Sequence, residues 1–375
     1  MRFIDCINIT GESCKAYDGN KEYISTGAVD VDHIDQNQIE IVSYDSKPSR
    51  ANLITNDRSI IFAKMQGTKK VLLINQELEK NIYSTGFFSV SPKNNVLNKK
   101  CLYHLLGSKT FLSQKDKYCS GATQKAITLE GLKKIEITVP ELEKQDQIAK
   151  ILDTIKSILE SYKKELENYD LLVRARFVEM FGNVPEEERV TIAEICKIIT
   201  DGTHQPPKFT NTGIPFLFVS NIITNEICYD AEKFISEETY TELIKRTPIE
   251  IGDILLSTVG SYGHPAIVKT DRRFCFQRHI AYLKPKSDMV NSEYLRGAIL
   301  SDNVQRQIDE RVKGIAQKTL NLAEIRKIRL PLPPLKLQEQ FADFVKQVDK
   351  SKLAIQKSLE KTQQLFDSLM QEYFG

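Results

Sequence analysis

The sequence predicts an α/β (α+β) protein built twice. Two α/β domains are separated by two long antiparallel coiled-coil helices, with a pseudo-two-fold internal repeat. Three observations carry this. A segment from Gly121 to Gly182 recurs from Gly314 to Gly375 at a constant offset of 193 residues, and about 18 of its 62 paired positions are identical. Most of each copy is a heptad-like stretch without internal Pro or Gly, roughly 40 residues long, which as a helix makes a rod of about 60 Å. The same offset holds upstream, pairing Tyr23 with Phe216, Ile61 with Ile254, Gly67 with Gly260, and Pro92-Lys93 with Pro285-Lys286.

Residues 1–140 form the first domain. Short apolar runs bounded by Gly, Asn and Asp predict strands at 23–25, 59–63, 70–74 and 87–90. Tyr103 to Phe111 predicts a short helix, and Ile135 to Pro140 a strand ending in proline. Residues 141–182 are the central helix, with a seam at Ile148, Ile151, Ile155, Ile158, Tyr162, Leu166, Tyr169 and Val173. Residues 183–333 form the second domain, with strands at 216–219, 253–257, 266–269 and 280–283 and a closing strand from Ile328 to Pro333. Residues 334–375 repeat the helix, with a seam at Phe341, Phe344, Val348, Ile355, Leu359, Phe366, Leu369 and Tyr373. A lone heptad helix cannot bury its seam in water, so each helix is the natural partner of the other. Paired antiparallel, they make a ruler that holds two variable heads apart.

Composition excludes more than it selects. A chain of 375 residues has room for two domains plus connectors, and its 41% hydrophobic and 27% charged content is ordinary for a globular protein. A net charge of +2 argues neither for nor against nucleic acid, so an anion-binding face must come from local clustering of Lys and Arg. Seven scattered cysteines without C-x-x-C spacing disfavour a zinc site and a disulfide framework and suggest a reducing compartment. The N-terminal residues lack a signal-peptide core, and the longest apolar run is too short for a bilayer. A cytoplasmic protein without membrane contact is expected.

No phosphate loop, dinucleotide fingerprint, H-E-x-x-H or G-x-S-x-G elbow occurs, nor the Asn-Pro-Pro-aromatic motif of amino-methyltransferases. The five histidines have no Cys or His partner at ligand spacing. A recognition module is therefore expected rather than an enzyme, with no catalytic residue, cofactor or metal on this chain.

Candidate contact residues lie in polar loops beside strands. In the second domain the stretch Asp201, Thr203, His204, Gln205 and Lys208 could read base edges in a major groove. The loop holding Ser257, Ser261, Tyr262 and His264 follows a strand, and its glycines permit close backbone approach to a phosphate. Gln277, Arg278 and His279 form a third group, Gln suiting adenine and Arg guanine. The corresponding places in the first domain carry Lys15, Lys21, Thr26, Lys64, Gln66, Lys69, Lys70 and Thr85, which suit phosphate neutralisation. Lys115 and Lys117 in one half, and Arg311 and Lys313 in the other, precede the repeated pairs Gln124-Lys125 and Gln317-Lys318. Being identical, Lys125 and Lys318 with their glutamines cannot discriminate two sequences; they fix a junction or touch phosphate. Each loop also reads as an ordinary solvated turn, and each lysine as a surface charge.

The segments Val139-Pro140-Glu141-Leu142-Glu143-Lys144-Gln145-Asp146-Gln147-Ile148 and Leu330-Pro331-Leu332-Pro333-Pro334-Leu335-Lys336-Leu337-Gln338-Glu339-Gln340-Phe341 resemble the conserved regions of specificity subunits of type I restriction–modification systems. Asp201-Gly202-Thr203-His204 and Gly252-Asp253-Ile254-Leu255-Leu256-Ser257 look like pieces of that family's target-recognition domains. The resemblance covers essentially the whole chain. It implies a non-catalytic subunit that binds double-stranded DNA, each domain reading one half-site and the helices setting the unread spacer. It also implies two modification (methyltransferase) subunits as partners, joined by restriction (translocase/nuclease) subunits in the full complex. S-adenosylmethionine, ATP and Mg are then expected on those partners. The competing readings are a scaffold whose heads bind proteins, and an enzyme with an unfamiliar site.

Overall fold

The computed structural model describes residues 1–314 and 318–375. The chain packs as two compact units, Met1–Lys163 with Lys357–Gly375, and Lys164–Gln356. Each unit holds one head together with parts of both long helices.

In the first unit a four-stranded sheet runs Ile7–Ile9, Phe87–Pro92, Ile60–Ala63, Val71–Leu73, with every neighbour antiparallel. The central strand Ile60–Ala63 is wholly apolar and buried, because it is covered on both faces. Ile60 and Phe62 enter the core shared with the helices, and Ile61 and Ala63 enter a second core against the other sheet. In the second unit the order is Cys196–Asp201, Ile280–Pro285, Ile254–Ser257, Pro265–Ile267, again antiparallel throughout.

A second sheet accompanies each of these. In the first unit it has five strands and one parallel pair, in which Tyr23 faces Ile82. In the second unit it has three strands and one parallel pair, in which Phe216 faces Cys275. Both partners are shifted by the repeat offset, so the two heads share topology and register although few residues match. Gly67 and Gly260 also correspond, both in the left-handed region at φ of 74° and 73°.

The long helices span Leu142–Phe181 and Leu335–Phe374. Proline stands just before each (Pro140; Pro333-Pro334) and glycine just after (Gly182; Gly375). Within the second unit Asp170 pairs with Lys352 at 2.7 Å, and the rings of Phe177 and Phe341 meet edge-on at 5.5 Å. As one helix advances the other retreats, so the helices are antiparallel there. In the first unit Ile148 and Leu152 share a core with Met370 and Phe374. No helix among the described residues is long and apolar enough to cross a membrane.

Four sequence expectations need correction. The seam of the first helix runs through Leu152 and Leu159, both buried, rather than through Ile151 and Ile158; Ile158 is 39% exposed. In the second helix the deepest positions are Phe341, Val345, Val348, Met370 and Phe374, with Phe344, Leu369 and Tyr373 only half-buried beside them. Ile135 to Pro140 forms no strand. It is held by an isolated bridge between Arg2 and Glu136 and by hydrogen bonds from Phe3 N to Ile135 O and from Ile137 N to Met1 O. The second copy does form a strand, Arg329–Pro331, because Arg189–Thr191 lies alongside to pair with it. The helix expected over Tyr103 to Phe111 is two helices, Lys99–Leu106 and Lys109–Lys117, since Ser108 caps the second through Phe111 N.

Candidate nucleic-acid interface

In the second head four loops converge on one rim of the sheet, and their backbones are stitched together. Arg278 N donates to Thr203 O at 3.1 Å and Thr258 N to His279 O at 3.0 Å. Leu320 N donates to Thr258 O at 2.8 Å and Gly260 N to Lys318 O at 3.3 Å. Gly202 makes this possible. A Cβ there would lie 2.2 Å from Phe276 O and 2.5 Å from Gln277 O, so only glycine lets the loop at 201–208 reach the strand end. The loops enclose an open groove of about 440 Å³ lined by Asp201, Thr258, Arg278, His279 and Asn321.

The chemistry of this groove is mixed. Arg278 is exposed and touches the His279 imidazole, Nε to Nε2, at 3.3 Å. Burial, and then the neighbouring guanidinium, push the His279 pKa down, so the ring is neutral at pH 7. Asp201 is held by an ion pair to Arg246 and by His204 Nε2 at 2.9 Å. Thr203 Oγ1 donates to Gln205 O at 2.9 Å. Gln205 and Lys208 are exposed, and Gln277 is half-buried. On the neighbouring loop Ser261 is exposed, Tyr262 Oη donates to Asp309 at 2.9 Å, and His264 Nδ1 lies 3.2 Å from Asn225 Oδ1. Burial lowers the His264 pKa. Lys313 and Lys318 are exposed beside this rim, and Arg311 lies half-buried with its guanidinium donating to Gln307 O at 2.9 Å. Gln317 lies outside the described residues.

The first head gathers a more basic set at the corresponding rim. Gln66 N donates to Lys125 O at 3.0 Å, Ile127 N to Lys64 O at 2.9 Å, and Lys64 N to Gly86 O at 2.8 Å. Lys64 Nζ reaches Thr85 O at 2.8 Å, and Lys70 Nζ reaches Thr26 O at 2.7 Å. Burial lowers the Lys64 pKa. Gln66, Lys69, Thr85, Lys117 and Lys125 are exposed. Lys21 belongs to the five-stranded sheet instead, where its Nζ sits 5.1 Å over the Tyr17 ring, and Lys15 lies in the loop between the strands Glu12–Ser13 and Asn20–Ile24 of that sheet.

Two residues expected at the surface lie in the interior. Lys115 is 1% exposed, and its ammonium donates to Met65 O and Thr68 O at 2.9 and 2.8 Å, tying the turn at 65–68 to its helix. Ser257 is fully buried, and its hydroxyl accepts His264 N at 2.9 Å. Both therefore shape their loops from within.

The junction of head and helix is the most symmetric part of the molecule. Gln145 is fully buried; its Oε1 accepts Asn98 N at 2.7 Å, and its Nε2 donates to Val96 O and Pro140 O, both at 2.9 Å. Gln338 is equally buried; its Oε1 accepts Asn291 N at 2.8 Å, and its Nε2 donates to Met289 O at 3.1 Å and Pro333 O at 2.7 Å. Every atom pair is reproduced at the repeat offset. Gln114 clasps both backbone groups of Glu136, and Gln307 clasps those of Arg329 in the same manner.

The model for the type I restriction modification DNA specificity domain matches this chain twice, at residues 6–168 and 186–365. The chain belongs to this family. Its two specificity domains each take in one head and reach into the helix that follows. Among named relatives, the type I restriction enzyme EcoBI specificity subunit of Escherichia coli is 24% identical over 74% of this chain and 65% of its own length. The MjaVIII specificity subunit of Methanocaldococcus jannaschii is 22% identical over 72% of this chain and 68% of its own length. The putative MjaX specificity subunit of the same organism is 24% identical over 88% and 79%.

Solved structures agree on the fold. One chain, from a structure concerned with complex assembly and conformational transition of the type I R-M system, has a TM-score of 0.60 at 18% identity and covers 100% of this chain and 96% of its own. The S subunit from M. genitalium has a TM-score of 0.53 at 16% identity, covering 99% and 94%.

Sequence reasoning missed Arg246 and Gln305 at the specificity-domain rim. Arg246 fixes Asp201 from a helical turn 45 residues away, and Gln305 Nε2 donates to Gly263 O at 2.9 Å from 42 residues away. No local pattern marks either residue, because each acts across the fold.

Proposed function

We propose that this chain is the DNA-recognition subunit of a type I restriction–modification complex. Each head reads one half of a split duplex target, and the helices set the spacing between the halves. The chain is non-catalytic. Two modification subunits dock on it, and restriction subunits join in the full complex. S-adenosylmethionine, ATP and Mg act on those partners, and the complex works in the cytoplasm.

The observation that carries this reading is the pair of specificity domains, one per head, each presenting a polar loop rim of different composition. The first rim is lysine-rich, suited to phosphate. The second places an exposed arginine, a half-buried glutamine and a neutral histidine side by side, suited to base edges. Shared junctions beside divergent rims fit one kind of partner gripped twice and two different half-sites read.

The test is mapping of methylated sites in a host carrying this chain with its modification subunit. Exchange of the head at residues 189–313 for another specificity domain should alter one half-site and leave the other. A change in both halves, or no DNA binding at low salt with the modification subunit present, would sink the reading.

A further inference from the structure

The glutamine anchors are the same in both halves, so they cannot distinguish one head's seat from the other. The charged residues around them can. In the first unit the helix residue Lys156 places Nζ 2.5 Å from Asp32 and 2.6 Å from Tyr103 Oη. One turn earlier, Asp153 takes Lys100 at 2.7 Å and His104 at 2.8 Å.

Carried forward by the repeat offset, Asp153 becomes Lys346 and Lys156 becomes Asp349, while Lys100 becomes Glu293 and Tyr103 becomes Arg296. In the second unit Asp349 lies 3.4 Å from Lys269, which also takes Glu226 at 3.1 Å and Glu293 at 3.7 Å. Arg296 pairs with Glu226 at 3.5 Å and Glu293 at 3.4 Å. The first helix thus offers acid then base at these two positions, and the second offers base then acid. On the heads, Lys100 corresponds to Glu293, while Asp32 and Lys269, which meet Lys156 and Asp349, have the neutral counterparts Asn225 and Gln76. A weaker contact follows the same rule: Lys109 meets Asp367 at 3.9 Å, and their counterparts are Asp302 and Arg174.

We propose that these inverted ion pairs are a pairing code that seats each head on its own helix. A first head laid on the second helix in the same register would set Lys100 against Lys346 and Asp32 against Asp349. A second head laid on the first helix would set Glu293 against Asp153 and Lys269 against Lys156. The glutamine bonds would still form, but shape differs as well: a Cβ at Gly297 would lie 2.7 Å from the Phe341 ring, and the first head carries His104 at that position. Charge adds a repulsion to that mismatch, in the way that charged flanks choose partners between otherwise similar coiled coils.

The first node is sheltered enough for the sign to matter. The side chains of Lys156 and Asp32 are 29% and 21% exposed. Burial works against the Lys156 ammonium, yet its bonds to Asp32 and Tyr103 raise its pKa to about 12. Like charges held this close in a partly desolvated site repel far more than they would at an open surface. The code is independent of what the heads bind. It implies that a head transferred between halves must bring the helix residues through position 156 or 349 with it.

The test uses the full chain and four variants: Lys156→Ala, Lys156→Asp, Asp32→Lys, and Asp32→Lys with Lys156→Asp. Amide hydrogen exchange is followed over residues 145–160. Lys156→Asp should lower protection about tenfold beyond Lys156→Ala, and the added Asp32→Lys should restore most of it. Equal losses from Ala and Asp, or no restoration in the double variant, overturn the code. If Lys156→Asp does not fold, Asp349→Ala and Asp349→Lys are compared over residues 338–353; there too equal protection overturns it.

Discussion

Gln145 and Gln338 make the same three hydrogen bonds with the same atoms, in the two halves of one chain. Each caps a backbone N–H just before a head helix and ties two carbonyls that have no strand or helix partner. Removing either side chain strands those buried groups without water. Gln145→Ala and Gln338→Ala should each cost about 2–4 kcal/mol, read by denaturant unfolding. Hydrogen exchange should localise each loss to its own unit; a loss confined to one of the two would break the equivalence.

Gly202 admits no side chain, because Phe276 O and Gln277 O crowd the site of its Cβ. Gly202→Ala should push the 201–208 loop off the rim and leave the core intact. DNA affinity measured with the modification subunit should fall, with the loss confined to the half-site of the second head. Gly260→Ala strains a positive φ but meets no neighbour, so its effect should be smaller, about 1 kcal/mol.

Arg278 is exposed at the groove, with its guanidinium against the His279 imidazole. Arg278→Ala should relax specificity at one position of one half-site, costing about 1–3 kcal/mol of discrimination. Lys69→Ala and Lys125→Ala should instead weaken binding to all sequences alike and reduce the salt slope by about one per phosphate contact. Binding titrations at several salt concentrations on cognate and altered duplexes separate the two outcomes.

His104 is buried, and burial holds its pKa below the ordinary 6.5, against the pull of Asp153. A depressed pKa means that the unfolded chain takes up the proton first. Its contribution is therefore complete above about pH 6.5 and lost as pH falls through the folded pKa. Asp32, whose carboxyl is also held low although burial opposes this, adds acid sensitivity only well below that range. Melting temperature should fall between pH 7 and pH 5.5, and His104→Gln should flatten that fall. An equal slope in the variant would show that another group titrates.

Much of this architecture was legible in the sequence. The repeat offset, the two forty-residue helices and most strands followed from periodicity and from proline and glycine at the ends. The seam phase of the first helix was not, because Ile151-Leu152 and Ile158-Leu159 are adjacent apolar pairs and spacing alone cannot choose between them. Packing chose Leu152 and Leu159, which continue the line set by Gln145 and Ile148. The glycine-punctuated loops at 201–208 and 257–264 stood out by composition, while their meeting at the second rim is a product of the fold. Lys115 misled because a lysine in a polar helix reads as surface, and only the fold reveals the 65–68 carbonyls that bury it. Arg246 was invisible for the converse reason: its partner lies 45 residues away.

The core beneath the first head includes Met370 and Phe374. A ribosome makes that head first and those residues hundreds of positions later. The first head therefore waits with an open apolar face while the whole second head is synthesised. The order in which the two units are completed is then not the order in which they are translated, and the nascent first head is the one that most needs shelter.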